Sequence, residues 1–139
     1  MASTSSTSGT AVRRRVLHPG SVGMILGGLI IVVGSVLPWV STPVGSIPGH
    51  AGPGLWTLCA AFVALAGAVL PFRRVAVAHC LVAGLPVAFL AAWQVVRLVE
   101  VSAATDSWGK ALPGMGLVMV AGGAVILLRT AWRLSRSSS

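Results

Sequence analysis

His79, Trp93 and Arg97 are the residues of this chain whose types and spacing invite a chemical reading. They lie in one long apolar run, with Pro86 between them. Counted from His79, the offsets to Pro86, Trp93 and Arg97 are seven, fourteen and eighteen. At about 100° per residue, all four fall within about 40° of one helical direction. An imidazole, an indole and a guanidinium on one side of an apolar helix could line a narrow aqueous or proton path. The competing reading places each group near a membrane interface. There His79 meets inner headgroups, Trp93 anchors, and Arg97 snorkels outward and pairs with Glu100 three residues on. The interfacial positions of all three favour this second reading.

Other chemistry finds little support. His18, His50 and His79 are the only histidines, and the placement derived below puts them at different depths. They cannot supply one metal or a haem between them. Cys59 and Cys80 form no C-x-x-C pair and read as small apolar fillers. The two acids, Glu100 and Asp106, stand outside the first, second and fourth apolar runs. Proton-coupled antiport usually needs a carboxylate inside the membrane. The chain has no glycine-rich phosphate loop, no H-E-x-x-H and no convincing Ser–His–Asp set. The expectation is a protein without cofactor or metal and without an active site of its own.

Composition supplies the frame for these residues. Of 139 residues, 9% are charged and 55% hydrophobic, with a mean hydropathy of +0.92. Soluble domains carry about 25% charged residues, so the class expected is integral membrane. The net charge of +8 does not imply a nucleic-acid partner. The arginines sit in short clusters at the ends of apolar runs, which is an orientation signal. Nine arginines against one lysine, with abundant Ala, Val and Gly, suggest the composition of a G+C-rich bacterium.

Four runs can each span a bilayer: about 21–40, 54–71, 75–99 and 112–132. Residues 1–20 predict a disordered tail ending in a basic cluster, and 133–139 a short polar tail. The first run is too long for a signal peptide and no A-x-A-like site follows it. The fold class expected is all-α, a four-span transmembrane antiparallel helix bundle. Arg13–Arg15, Arg73, Arg74, Arg129, Arg133 and Arg136 fall on one side. That side should be cytoplasmic, with both termini inside the cell membrane. Trp39, Trp56, Trp93 and Trp108 then fall near the outer interface and Trp132 near the inner one. The stretch "LPWVSTPVGSIPGH", with prolines at 38, 43 and 48, reads as a turn-rich outer loop.

Helix packing has its own signature. Ala76, Cys80, Gly84, Ala88 and Ala92 recur every four residues on the third run, a surface that lets another backbone approach closely. Gly23 and Gly27, and Ala60, Ala64 and Ala68, offer similar surfaces. "PGLW" opens the second run and "PGMG" the fourth, each with an arginine nineteen residues past its glycine. This pattern fits either a duplicated hairpin or two hairpins obeying the same charge rule.

"GSVLPWVS", followed by a Gly/Pro loop and a returning span, resembles small four-helix integral membrane proteins of the actinobacterial type. The likeness covers Ser21–Pro71 best. It implies a membrane bundle and carries over no activity. The function expected is a non-enzymatic accessory or scaffold subunit, packing against the lipid bilayer and against itself or a larger membrane protein. The alternative is a small channel or transporter using the face of His79, Trp93 and Arg97.

Overall fold

A computed structural model describes residues 20–110 and 112–137. Residues 1–19 of the expected N-terminal tail, with Arg13–Arg15 and His18, lie outside the described residues. Four helices carry most of the chain: α1 (Ser21–Val36), α2 (Gly54–Val69), α3 (Arg73–Ala104) and α4 (Met115–Arg136). Each packs on two others. α1 lies against α2 and α4, and α3 against the same pair. Among the described helices, α3 and α4 are long and apolar enough to cross a membrane. α1 and α2 have 16 residues each, about 24 Å of helix. That is shorter than the runs expected from hydropathy.

The shortening has a local cause. Pro38 disfavours the α conformation at Leu37, whose ψ of 164° is extended. Pro71 acts in the same way on Leu70, whose ψ is 131°. At the other extreme, α3 has 32 residues and runs past the expected limit at Val99. It takes in Glu100 and Ser102, and it continues through Pro86.

The stretch read as a turn-rich loop is ordered as β-structure. Strands β1 (Pro38–Thr42) and β2 (Gly45–Pro48) form an antiparallel hairpin, with Val40 opposite Ile47 and Thr42 opposite Gly45. A short strand, β3 (Leu112–Pro113), joins the free edge of β1, with Val40 opposite Pro113. The strand order is β2-β1-β3. The link after α1 and the link after α3 are therefore parts of one sheet.

Trp39 sits at an irregularity of register between Pro38 and Val40. Such a bulge re-aims a side chain, and here the indole is 2% exposed. The sequence reading placed Trp39 near the outer interface; within the fold it belongs to the hydrophobic core. Its Nε1–H donates to the Gly34 carbonyl at 3.0 Å. In a continuing helix that carbonyl would bond to the N–H of residue 38. Residue 38 is proline and has none. The indole therefore satisfies a carbonyl that the sequence leaves open.

Among the described residues few polar side chains are buried, and Ser21, Ser35 and Thr57 are paired. Ser21 Oγ donates to the Ala68 carbonyl at 2.8 Å, tying the start of α1 to the end of α2. At the sheet end, the hydroxyls of Ser35 and Thr57 lie 2.7 Å apart. Among the described residues no buried side-chain nitrogen or oxygen lacks a partner. At the other end, Arg73 donates to the Leu134 carbonyl and to the Ser137 carbonyl, the latter at 3.3 Å. A cation at the C-terminal carbonyls of α4 also complements the helix dipole.

Candidate interaction surface

The three residues of the expected polar face do not converge. His79 is half-buried, and its Nδ1 lies 2.8 Å from the Val75 carbonyl. A carbonyl can only accept, so that ring nitrogen carries the proton. The His79 Cβ lies close to Gly67 of α2, within 2.5 Å of where a Cβ there would stand. Trp93 is exposed and stacks on Phe89, with ring centroids 6.4 Å apart. Arg97 is exposed and sits 4.0 Å from Glu100. One side chain thus faces a neighbouring helix while the other two face outward.

The small-residue stripe of α3 is placed in part against the core. Ala76, Cys80 and Gly84 are buried, and Ala88 is partly buried against the core. Ala92 is exposed. A four-residue step advances about 40° beyond a full turn, so a strict stripe rotates away from its partner. The buried line follows the helix instead, moving to Val87 and Ala91.

Gly84 faces α4. A Cβ there would stand 3.1 Å from Leu128 Cδ2 and 3.4 Å from Leu127 Cβ. Gly84→Leu should lower the melting temperature in mild detergent by an amount matching about 1–3 kcal/mol of overpacking. Leu85→Ala, at an exposed site next to it, should stay within about 0.5 kcal/mol of the parent. Thermal aggregation of the two variants checks this. Equal melting of Gly84→Leu and the parent would remove Gly84 from the contact.

A closer contact joins α1 to α4. Gly27 and Gly34 are seven residues apart on α1, as are Gly116 and Gly123 on α4. A Cβ on Gly34 would stand 2.8 Å from the Gly116 carbonyl oxygen, and one on Gly123 would stand 2.9 Å from the Gly27 oxygen. The neighbours are backbone atoms, which cannot swing aside. The sequence reading noted Gly23 and Gly27 but missed the seven-residue pairing, which was its available signal. Seven residues return to within about 20° of the same direction, so the glycines of each helix hold one line.

Between α3 and α4 lies a groove of about 430 Å³ whose floor includes Ala88, Ala91, Ala92 and Ala121. Val95 and Pro113 also line an adjoining depression of about 240 Å³, which Trp108 borders. The walls are almost wholly apolar. Gly122, close by on α4, has no atom within 4 Å of the place a Cβ would take. No family model, curated protein or solved structure matches the chain. The larger groove is lined by apolar side chains alone, and no group of three His, Cys, Asp or Glu side chains suited to a metal occurs among the described residues. Alanine and glycine floors accept another helix, because small side chains let backbones approach closely.

Proposed function

We propose that the chain is a four-span integral membrane protein of a bacterial cell membrane, with both termini cytoplasmic. It acts as a non-enzymatic accessory or scaffold subunit. It holds an apolar helix, from a second copy or from a larger membrane protein, in the groove between α3 and α4. The observation that carries this reading is the groove itself, with small residues along its floor and apolar walls on the two longest apolar helices. The four-span part rests on the broad exposure of large apolar side chains on all four helices, among them Leu26, Phe62, Phe89 and Val125. The sheet supports it too, since β1 and β2 lengthen the short α1 and α2 at one end. The outward positions of Trp93 and Arg97 weigh against a channel along α3.

Two measurements test the proposal. The first introduces single cysteines at Ser46, Lys110 and Pro71 in a background lacking Cys59 and Cys80. An impermeant thiol reagent should label positions 46 and 110 in intact cells and position 71 only after lysis. Labelling of position 71 in intact cells overturns the topology. The second is gentle purification from the native membrane after cross-linking through a cysteine at Ala92. A defined adduct, with a second copy or with one membrane protein, and no ion flux in liposomes is the expected result. Flux by the purified protein alone would instead establish transport.

A further inference from the structure

The end of the molecule opposite the sheet has a charge imbalance that the scaffold reading does not use. Arg73, Arg74, Arg129, Arg133 and Arg136 gather where α3 begins and α4 ends. The chain has two acidic side chains, Glu100 and Asp106, and both belong to the far end of α3 and the link after it. Arg73 is engaged with the terminal carbonyls of α4. Arg136 lies over the Trp132 ring, 4.1 Å from its centroid. Arg74, Arg129 and Arg133 form no ion pair among the described residues.

Two clefts open beside these arginines. One, of about 480 Å³, is bordered by Gly23 of α1 and by Thr130, Arg133 and Ser137. The other, of about 360 Å³, is bordered by Arg73, Arg74, Val77 and Ser135. Leu134 lines both. Each cleft joins a guanidinium to a hydroxyl side chain and to an apolar side chain, Val22 in the first and Val77 in the second. That combination matches a group with an anionic head and an apolar tail.

We propose that each cleft binds the phosphodiester of an anionic phospholipid, with Arg133 contacting its oxygens in the first and Arg74 in the second. This inference rests on the membrane reading given above. A guanidinium presents a planar fork that engages two phosphate oxygens at once. Thr130 and Ser137 border the first cleft with their hydroxyls donated to the Ile126 and Leu134 carbonyls, so the guanidinium supplies the donors, and the lipid chains would lie along the exposed side chains of Val22 and Leu26. A basic hollow between helices at the cytoplasmic face is a recurrent form of anionic-lipid site.

The test uses the full chain in a mild non-ionic detergent, titrated with phosphatidylglycerol, phosphatidylcholine or inorganic phosphate. Thermal melting and native mass spectrometry are the readouts. Phosphatidylglycerol should raise the melting temperature and remain bound, whereas phosphatidylcholine and inorganic phosphate should do neither. The double variant Arg74→Gln/Arg133→Gln should bind phosphatidylglycerol about tenfold more weakly. Arg97→Gln, at the sheet end, should bind like the parent. If the double glutamine variant does not fold, Arg74→Lys/Arg133→Lys keeps the charge, loses the fork, and should still weaken binding. An equal response to both lipids, or to inorganic phosphate, overturns the proposal. So does unaltered binding in the folded double variant. Flotation with phosphatidylcholine vesicles scores the membrane reading separately, because it requires no anionic lipid.

Discussion

Gly123→Leu is expected to abolish a stable fold in mild detergent, while Gly122→Leu, one position earlier, melts with the parent or slightly above it. The two residues share a helix and a chemical type, and they differ in what surrounds them. A Cβ on Gly123 would stand 2.5 Å from Ile31 Cγ1 and 2.9 Å from the Gly27 carbonyl oxygen. Leucine there must push α1 away from α4, opening the Gly34–Gly116 approach as well. Overpacking a close core contact typically costs about 1–3 kcal/mol, and separating two backbones over several turns adds lost dispersion contacts. Gly122 meets nothing within 4 Å, so leucine there gains helix propensity of about 0.8 kcal/mol at most. Size-exclusion recovery after a heating series measures both. Coincident curves for the parent and Gly123→Leu would sink the α1–α4 contact.

The second large effect belongs to Trp39→Ala. Deleting a fully buried aromatic side chain costs about 3–5 kcal/mol, a large part of the stability of a small protein. Trp39 also donates to a carbonyl that Pro38 cannot serve. Trp39→Phe keeps most of the volume and loses only this bond, so it should cost about 1–3 kcal/mol. Trp56→Ala is the control, because Trp56 is 72% exposed. Hydrogen exchange supplies a local readout. The Gly114 N–H donates to the Trp39 carbonyl at 2.7 Å, and the Gly49 N–H to the Leu37 carbonyl at 3.0 Å. Both amides should lose protection in Trp39→Ala and keep it in Trp56→Ala.

The helices were largely legible in the chain because hydropathy and proline speak plainly. Each expected apolar run overlaps one of the four helices, although α3 runs past Val99 and α4 takes in Arg133–Arg136 of the expected polar tail, and the prolines at 38 and 71 set two of the helix ends. The sheet was not legible. Its strands are five, four and two residues long, and all three contain proline, which usually argues for a turn. β3 exists only because β1 lies beside it, and no local pattern announces a partner some seventy residues away. The candidate surfaces divide in the same manner. The stripe through Ala76, Cys80 and Gly84 could be read from spacing, but its later course at Val87 and Ala91 required the helix's own rotation. His79, Trp93 and Arg97 share a direction on α3 in projection, yet only the surrounding helices decide what each one faces.

The β2-β1-β3 order also bears on the sequence of events during synthesis. β1 and β2 are neighbours in the chain and can pair as soon as both have emerged. β3 follows α2 and α3, so the second edge of β1 stays open until Leu112 and Pro113 arrive. An unpaired edge is a ready template for a foreign strand. Pairing this distant in sequence also forms late, because its loop-closure entropy must be met first. The last bonds of the sheet thus mark a chain whose two halves have both been made. A nascent chain stopped before Leu112 would display an edge that the finished protein hides, and quality-control proteases could read that difference.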